Sequence, residues 1–124
     1  GLSYTTFAYS DLEVSPLQQH NTQGEYTIKV NVTNTGKRAG DEVVQLYVRD
    51  KVSSVITYDS QLRGFERVSL QPGETRQVTF SLKPEDLQIL DRNMNWTVEP
   101  GEFEVMIGAS SQDIRLKKTI TALP

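Results

Sequence analysis

Apolar and polar residues alternate along most of this chain. Between Glu25 and Asn34, Tyr26, Ile28, Val30 and Val32 alternate with Thr27, Lys29, Asn31 and Thr33. An extended backbone turns successive side chains to opposite faces, so the pattern predicts a strand with one buried and one wet face. In Glu42–Asp50, Val44, Leu46 and Val48 share one face, and Val43, Gln45, Tyr47 and Arg49 share the other. Val78, Phe80 and Leu82 repeat the period in Thr75–Leu82, as do Phe103, Val105 and Ile107 in Glu102–Ala109. Weaker alternation marks Thr5–Ser15, Leu62–Leu70 and Ile114–Ala122. The chain therefore predicts about seven short strands.

Turn chemistry separates these segments. Asn34-Thr35-Gly36 and Ala39-Gly40-Asp41 bracket one connection. Gln71-Pro72-Gly73-Glu74 leaves only a few residues to reverse the chain. Proline presets φ and glycine accepts positive φ, which predicts a tight, hairpin-like turn. Glu99-Pro100-Gly101 plays the same part before the sixth strand. One short helical stretch is expected at Pro84–Leu90, with proline and two acids at its start. Val52–Ser60 is the longest connection without strand periodicity. Seven regularly spaced antiparallel strands with almost no helical period predict an all-β sandwich of two sheets.

Composition narrows the chemistry. The chain has 124 residues, one domain's worth, and no cysteine, which excludes disulfides, thiol nucleophiles and thiolate metal sites. His20 is the single histidine, so no two-histidine metal motif exists. A net charge of −3 argues against a nucleic-acid or acidic-membrane partner. No apolar run approaches the roughly 18 residues of a membrane span. The first ten residues lack the basic and apolar regions of a signal peptide. These features describe a soluble domain with little catalytic equipment, and no cofactor or metal site is assigned.

Several motifs then occur in a fixed order. They are Gly1-Leu2-Ser3-Tyr4-Thr5 with Phe7, Val32-Thr33-Asn34-Thr35-Gly36, and Gly40 with Glu42-Val43-Val44-Gln45-Leu46-Tyr47-Val48. Leu62-Arg63-Gly64-Phe65, Leu70-Gln71-Pro72-Gly73-Glu74 and Pro100-Gly101-Glu102-Phe103 with Ile107-Gly108 follow. Taken together, the set resembles the C-terminal fibronectin type III-like domain of glycoside hydrolase family 3, the β-glucosidases, β-xylosidases and related exo-acting enzymes. Thr57-Tyr58-Asp59-Ser60 departs from the pattern, since many relatives carry a proline there. The resemblance implies an immunoglobulin-like, fibronectin type III-like sandwich over residues 1–124. It also implies a parent enzyme whose barrel and α/β domains supply the nucleophile and the general acid/base. None of those segments is present, so no catalytic residue is carried over to this chain. The first motif normally follows the α/β domain, which makes this sequence read as a fragment of a larger hydrolase. The implied partner is the catalytic portion of the same parent chain, and carbohydrate is met only through that parent. The resemblance leaves the compartment open, and a periplasmic or secreted parent fits it.

Glycoside hydrolysis needs two carboxyl groups about 5–5.5 Å apart for retention or 6.5–9.5 Å for inversion. Glu102 and Glu104 share a strand face with Cα atoms about 7 Å apart. They are read as part of an ordinary solvated sheet face, because nothing predicts a cleft that would raise one pKa. Asp11/Glu13 and Glu85/Asp86 are read the same way, and His20 as an exposed loop histidine. Tyr47 faces away from Val44, Leu46 and Val48, and Val43 joins it, so one sheet has a partly apolar outer face. Docking on a neighbouring domain, loop packing or a ligand would each cover such a face. Tyr47, Val43 and Tyr58 thus form a candidate docking surface. Trp96 and Tyr58 are candidate sugar-stacking residues for an alternative carbohydrate-binding module, although a lone Trp in a sandwich is usually core. A free-standing interaction domain is the third reading. Asn31-Val32-Thr33 and Asn95-Trp96-Thr97 fit the N-glycosylation pattern.

Overall fold

The computed structural model describes residues 5–20, 24–51, 60–90, 93–98 and 100–124. Among these residues ten strands follow one another: β1 (Phe7–Ser15), β2 (Gln18–His20), β3 (Tyr26–Asn34), β4 (Gly40–Asp50), β5 (Gln61–Leu70), β6 (Thr75–Leu82), β7 (Ile89–Leu90), β8 (Trp96–Thr97), β9 (Gly101–Ser110) and β10 (Asp113–Leu123). The small sheet has the order β1-β3-β6 and the large sheet the order β2-β10-β9-β4-β5, with β7 and β8 forming a separate ribbon. All seven segments predicted from alternation are strands, and the fold is an all-β sandwich. The departures are additions. β2 is polar and only three residues long, and it lies parallel to β10, so the sandwich is not wholly antiparallel. The helical stretch stops early: Pro84–Leu87 is one 3-10 turn, and Ile89–Leu90 extends to pair with Trp96–Thr97.

The inward faces are those set by the sequence period. Tyr26, Ile28, Val30 and Val32 of β3 meet Val44, Leu46 and Val48 of β4 and Phe103, Val105 and Ile107 of β9 in one core. Phe80 of β6 belongs to the same cluster. Its ring lies so close to Gly64 that a Cβ there would come within 3.2 Å of it. Gly64 therefore leaves room for the phenyl ring between the sheets.

One polar residue completes the inward face of β3. Asn34 has no exposed surface, yet every polar group it carries is bonded. Its Nδ2 donates to the carbonyls of Arg38 (2.8 Å) and Leu70 (3.0 Å). Its Oδ1 accepts from Thr5 Oγ1 (2.7 Å) and from the Gly36 amide (2.9 Å). Its backbone amide donates to Glu74 O (3.0 Å), and its carbonyl accepts from Gly73 N (2.8 Å). Leu70 ends a strand of the large sheet and Glu74 leads into β6 of the small one, so Asn34 ties the two layers together. Between them, Gln71-Pro72-Gly73-Glu74 closes with a Glu74 N to Gln71 O bond of 3.0 Å, and Gly73 has φ +79°. The tight turn is as predicted, but it is not a hairpin: β5 and β6 belong to different sheets.

Two substitutions test this account. Phe80→Ala is expected to lower the unfolding free energy by about 3–5 kcal/mol, as large core truncations do. Asn34→Ala is expected to cost about 2–4 kcal/mol, because it strands several buried donors and acceptors at once. Asn34→Asp costs at least as much at neutral pH, since it turns a carboxylate oxygen toward two carbonyls. Denaturant titration of each variant reads these losses, and a loss below about 1 kcal/mol at either site contradicts the packing described.

Candidate functional site

Three of the candidate acids, Glu104, Asp11 and Asp86, are engaged by neighbouring groups. Glu104 lies opposite Arg49 across β9 and β4, with Oε1 3.4 Å from Nη2, while Glu102 is exposed. This is a half-exposed ion pair on a sheet face and not an acid/base couple. Asp11 sits at a bulge in β1 with φ +55° and accepts a hydrogen bond from Asn31 Nδ2 at 3.1 Å. The same bond engages the asparagine of the first glycosylation pattern. Asp86 Oδ2 accepts from the Lys83 amide at 2.8 Å and caps the 3-10 turn, the role its position predicted. His20 is exposed but not in a loop: it ends β2, paired with Leu123, and its Nδ1 lies 3.1 Å from Pro124 O. β2 is held by β10, a partner about a hundred residues away, so its strand state was not visible locally.

A polar cleft of about 500 Å³ lies at one end of the sandwich. Thr5, Phe7, Asp41, Glu42, Asp113 and Arg115 line it. Arg115 anchors the cleft. It holds Asp113 through Nε (2.6 Å) and Nη2 (3.0 Å), donates Nη1 to Phe7 O (3.0 Å), and stands 5.3 Å from the centre of the Tyr9 ring. Tyr9 in turn donates its hydroxyl to Glu42 Oε2 at 3.0 Å. Asp41 accepts from Arg67 and from Ser69. Hydrogen bonds from Ser69 and Arg67 hold the Asp41 carboxyl below the usual range. A hydrogen bond from Arg115 does the same for Asp113. Burial, reinforced by the Glu42 charge, raises the Tyr9 phenol well above its ordinary value. Asp41 and Asp113 are thus held in the charged form, whereas a general acid must hold its proton near neutral pH. The arrangement braces β1 against β10 and β4, across the two sheets. No group of three His, Asp or Glu side chains among the described residues is placed to hold a metal ion.

A model of the fibronectin type III-like domain matches residues 42–111. The chain belongs to that family. The fibronectin type III-like domain is 48% identical to a β-xylosidase of Formosa agariphila over 121 residues, spanning 94% of this chain but 16% of that protein. It is 47% identical to β-glucosidase BoGH3A of Bacteroides ovatus over 116 residues, which are 93% of this chain and 15% of that protein. Among solved structures, a β-glucosidase from Erythrobacter marinus superposes with a TM-score of 0.89 at 41% identity, covering 99% of this chain and 16% of that one. A β-glucosidase from Listeria innocua in complex with glucose gives 0.87 at 30% identity, over 100% of this chain and 17% of that one. The resemblance drawn from the ordered motifs holds: the relatives are β-glucosidases and β-xylosidases of glycoside hydrolase family 3. The domain spans only a small part of each.

The outer face of the domain's large sheet differs from the sequence reading in its membership. Tyr47 is on the side opposite Val44, Leu46 and Val48, as expected, but only 9% of it is exposed. It sits across from Met106, at 6%, and its hydroxyl donates to Gln45 Oε1. Val43 is 38% exposed. Tyr58 and the side chain of Trp96 lie outside the described residues. The residues that stand out most on this face are Phe65 at 69% and Leu62 at 47%, both in the family motif Leu62-Arg63-Gly64-Phe65 but neither among the expected docking residues. Phe65 was within reach, since alternation from Val68 and Leu70 turns it outward. Leu62 was not, because alternation places it inward.

The Tyr9 site carries a pH prediction. Its pKa is higher in the fold than the phenol's usual value of about 10. The contribution to stability is therefore fully present below about pH 10 and is lost as pH rises beyond it, where the unfolded chain releases the proton first. Alkaline unfolding followed by circular dichroism should be steeper for the natural chain than for Tyr9→Phe above pH 10. Identical alkaline profiles contradict the partly buried Tyr9–Glu42 contact.

Proposed function

We propose that this chain is the non-catalytic C-terminal module of a family 3 glycoside hydrolase, of the β-glucosidase or β-xylosidase type. Residues 1–124 form one sandwich domain in that reading, and its work is positional. It packs on the catalytic domains of the parent chain, supports their relative placement and adds stability by burying shared apolar surface. The observation that carries the reading is the coverage: nearly all of this chain matches 16% and 15% of two such hydrolases. The pairing of the cleft carboxylates supports it from the chemical side, since Glu42, Asp41 and Asp113 each already accept a hydrogen bond from a neighbouring side chain. A relative from Salmonella typhimurium, 43% identical, is a periplasmic β-glucosidase, which supports a periplasmic or secreted parent. No helix among the described residues is long and apolar enough to cross a membrane.

The isolated chain is expected to release no product from aryl β-glycosides. In the parent hydrolase, removing the module should lower the unfolding temperature of the catalytic portion or prevent its folding. Turnover by the isolated chain that survives repurification and disappears in Glu102→Ala or Glu104→Ala would overturn the non-catalytic reading. A catalytic portion with unchanged stability and activity after the deletion would overturn the packing role.

A further inference from the structure

The β4–β5 corner of the large sheet presents Phe65, Leu62 and Val43 on one outer face, 69%, 47% and 38% exposed. Their convergence depends on a single extra residue. Leu46 pairs with Gly64 and Tyr47 with Leu62, so Arg63 has no opposite number on β4. The bulge inverts the side-chain parity of β5 beyond it. Without it, Leu62 would point inward with Gly64, Val68 and Leu70. With it, Leu62 joins Phe65 on the outside, flanked by Tyr47 and Val43.

Two further features mark this corner as unfinished. β5 ends the order of the large sheet, so its outer hydrogen-bonding edge meets no strand among the described residues. An apolar edge of this kind invites pairing and is normally covered. Beside it, Arg63 Nε is buried with no acceptor among the described residues. A buried donor left unpaired is costly, and a carboxylate or carbonyl from outside the domain would satisfy it.

We infer that this face, centred on Phe65 with Leu62 and Val43, is the surface by which the domain docks on the remaining polypeptide of its parent hydrolase. The inference rests on the module reading above and specifies its contact. The size of the patch selects this occupant over a second copy of the chain. Three partly exposed side chains offer on the order of 300 Å² of apolar surface, well below the roughly 800 Å² per partner that a stable free complex buries. A covalently linked partner needs far less, because the link supplies an effective concentration of about millimolar or more. The relatives provide such a link: the matching segment is 16% and 15% of a continuous chain. The docked surface is apolar and brings an acidic or carbonyl acceptor to Arg63.

The test uses the full-length parent enzyme carrying Leu62→Glu with Phe65→Glu. Hydrogen exchange over residues 61–67 should accelerate at least about tenfold, and the catalytic portion should unfold several degrees lower, while amides of β3 and β9 keep natural rates. Gln77→Glu with Thr79→Glu, on the outer face of the small sheet, should change neither reading. If β3 and β9 also exchange faster, Phe65→Ala alone removes apolar surface without adding charge and must show the same shift at 61–67 in smaller measure. Natural exchange and unfolding in these variants, together with destabilisation on deleting the whole module, would show that another face docks while the module reading stands. A concentration-dependent dimer abolished by Phe65→Glu would assign the face to a second copy and overturn the inference.

Discussion

The sandwich is organised around one buried side-chain amide. Asn34 stands at an inward position of β3 where the alternating pattern calls for an apolar residue, and six hydrogen bonds compensate for its burial. Those bonds reach the segment before β1, the turn after β3, the end of β5 and the start of β6. A hydrophobic core is tolerant of small slips because apolar contacts have little direction. The amide is not: moving either sheet by one residue would leave buried polar groups unpaired, at a cost of about 1–3 kcal/mol each. Asn34 thus sets the relative placement of two layers that the core alone would hold less exactingly. Three of the motifs that identify the family, those containing Thr5, Asn34 and Leu70 to Glu74, meet at this point. Their value as a signature follows from their joint role in one hydrogen-bond network.

A second inter-sheet tie closes the same end of the sandwich. Arg115 on β10 holds Asp113, donates to the Phe7 carbonyl and lies over Tyr9, which reaches across to Glu42 on β4. Acids that in isolation resemble catalytic equipment are used here to brace strands. The cleft they line is polar, but its groups are committed to one another. This agrees with the positional role proposed for the domain.

Much of the fold was legible in the residues because the period of a strand is a local property. Each extended residue turns its side chain by half a revolution, so Tyr26 through Val32 announced their faces with no knowledge of their partners. Pro72 and Gly73 likewise carried their own φ preferences into the turn. What the pattern missed was set by distant contacts. β2 is a polar tripeptide that becomes a strand only because Thr121 to Leu123 lie beside it. Leu62 reads as a core residue until the count across β4 and β5 shows one residue too many. The outer face was visible as an apolar tendency in Val43 and Tyr47, but its exposed centre moved to Phe65 and Leu62, while Tyr47 settled against Met106.

The all-β class, the seven main strands, the turn at Pro72-Gly73 and the family to which the ordered motifs belong are written in the order of residues along the chain. Each of these rests on backbone geometry within a few residues or on the order of motifs along the chain. Tertiary structure alone decided which sheet each strand joined, how the acids were paired and where apolar surface remained. Those outcomes depend on contacts such as Thr5 with Asn34, 29 residues apart, Asn34 with Leu70, 36 apart, and Arg115 with Phe7, 108 apart. No local period encodes such pairs. They form because a buried amide or guanidinium must find partners wherever the closed sandwich brings them within reach.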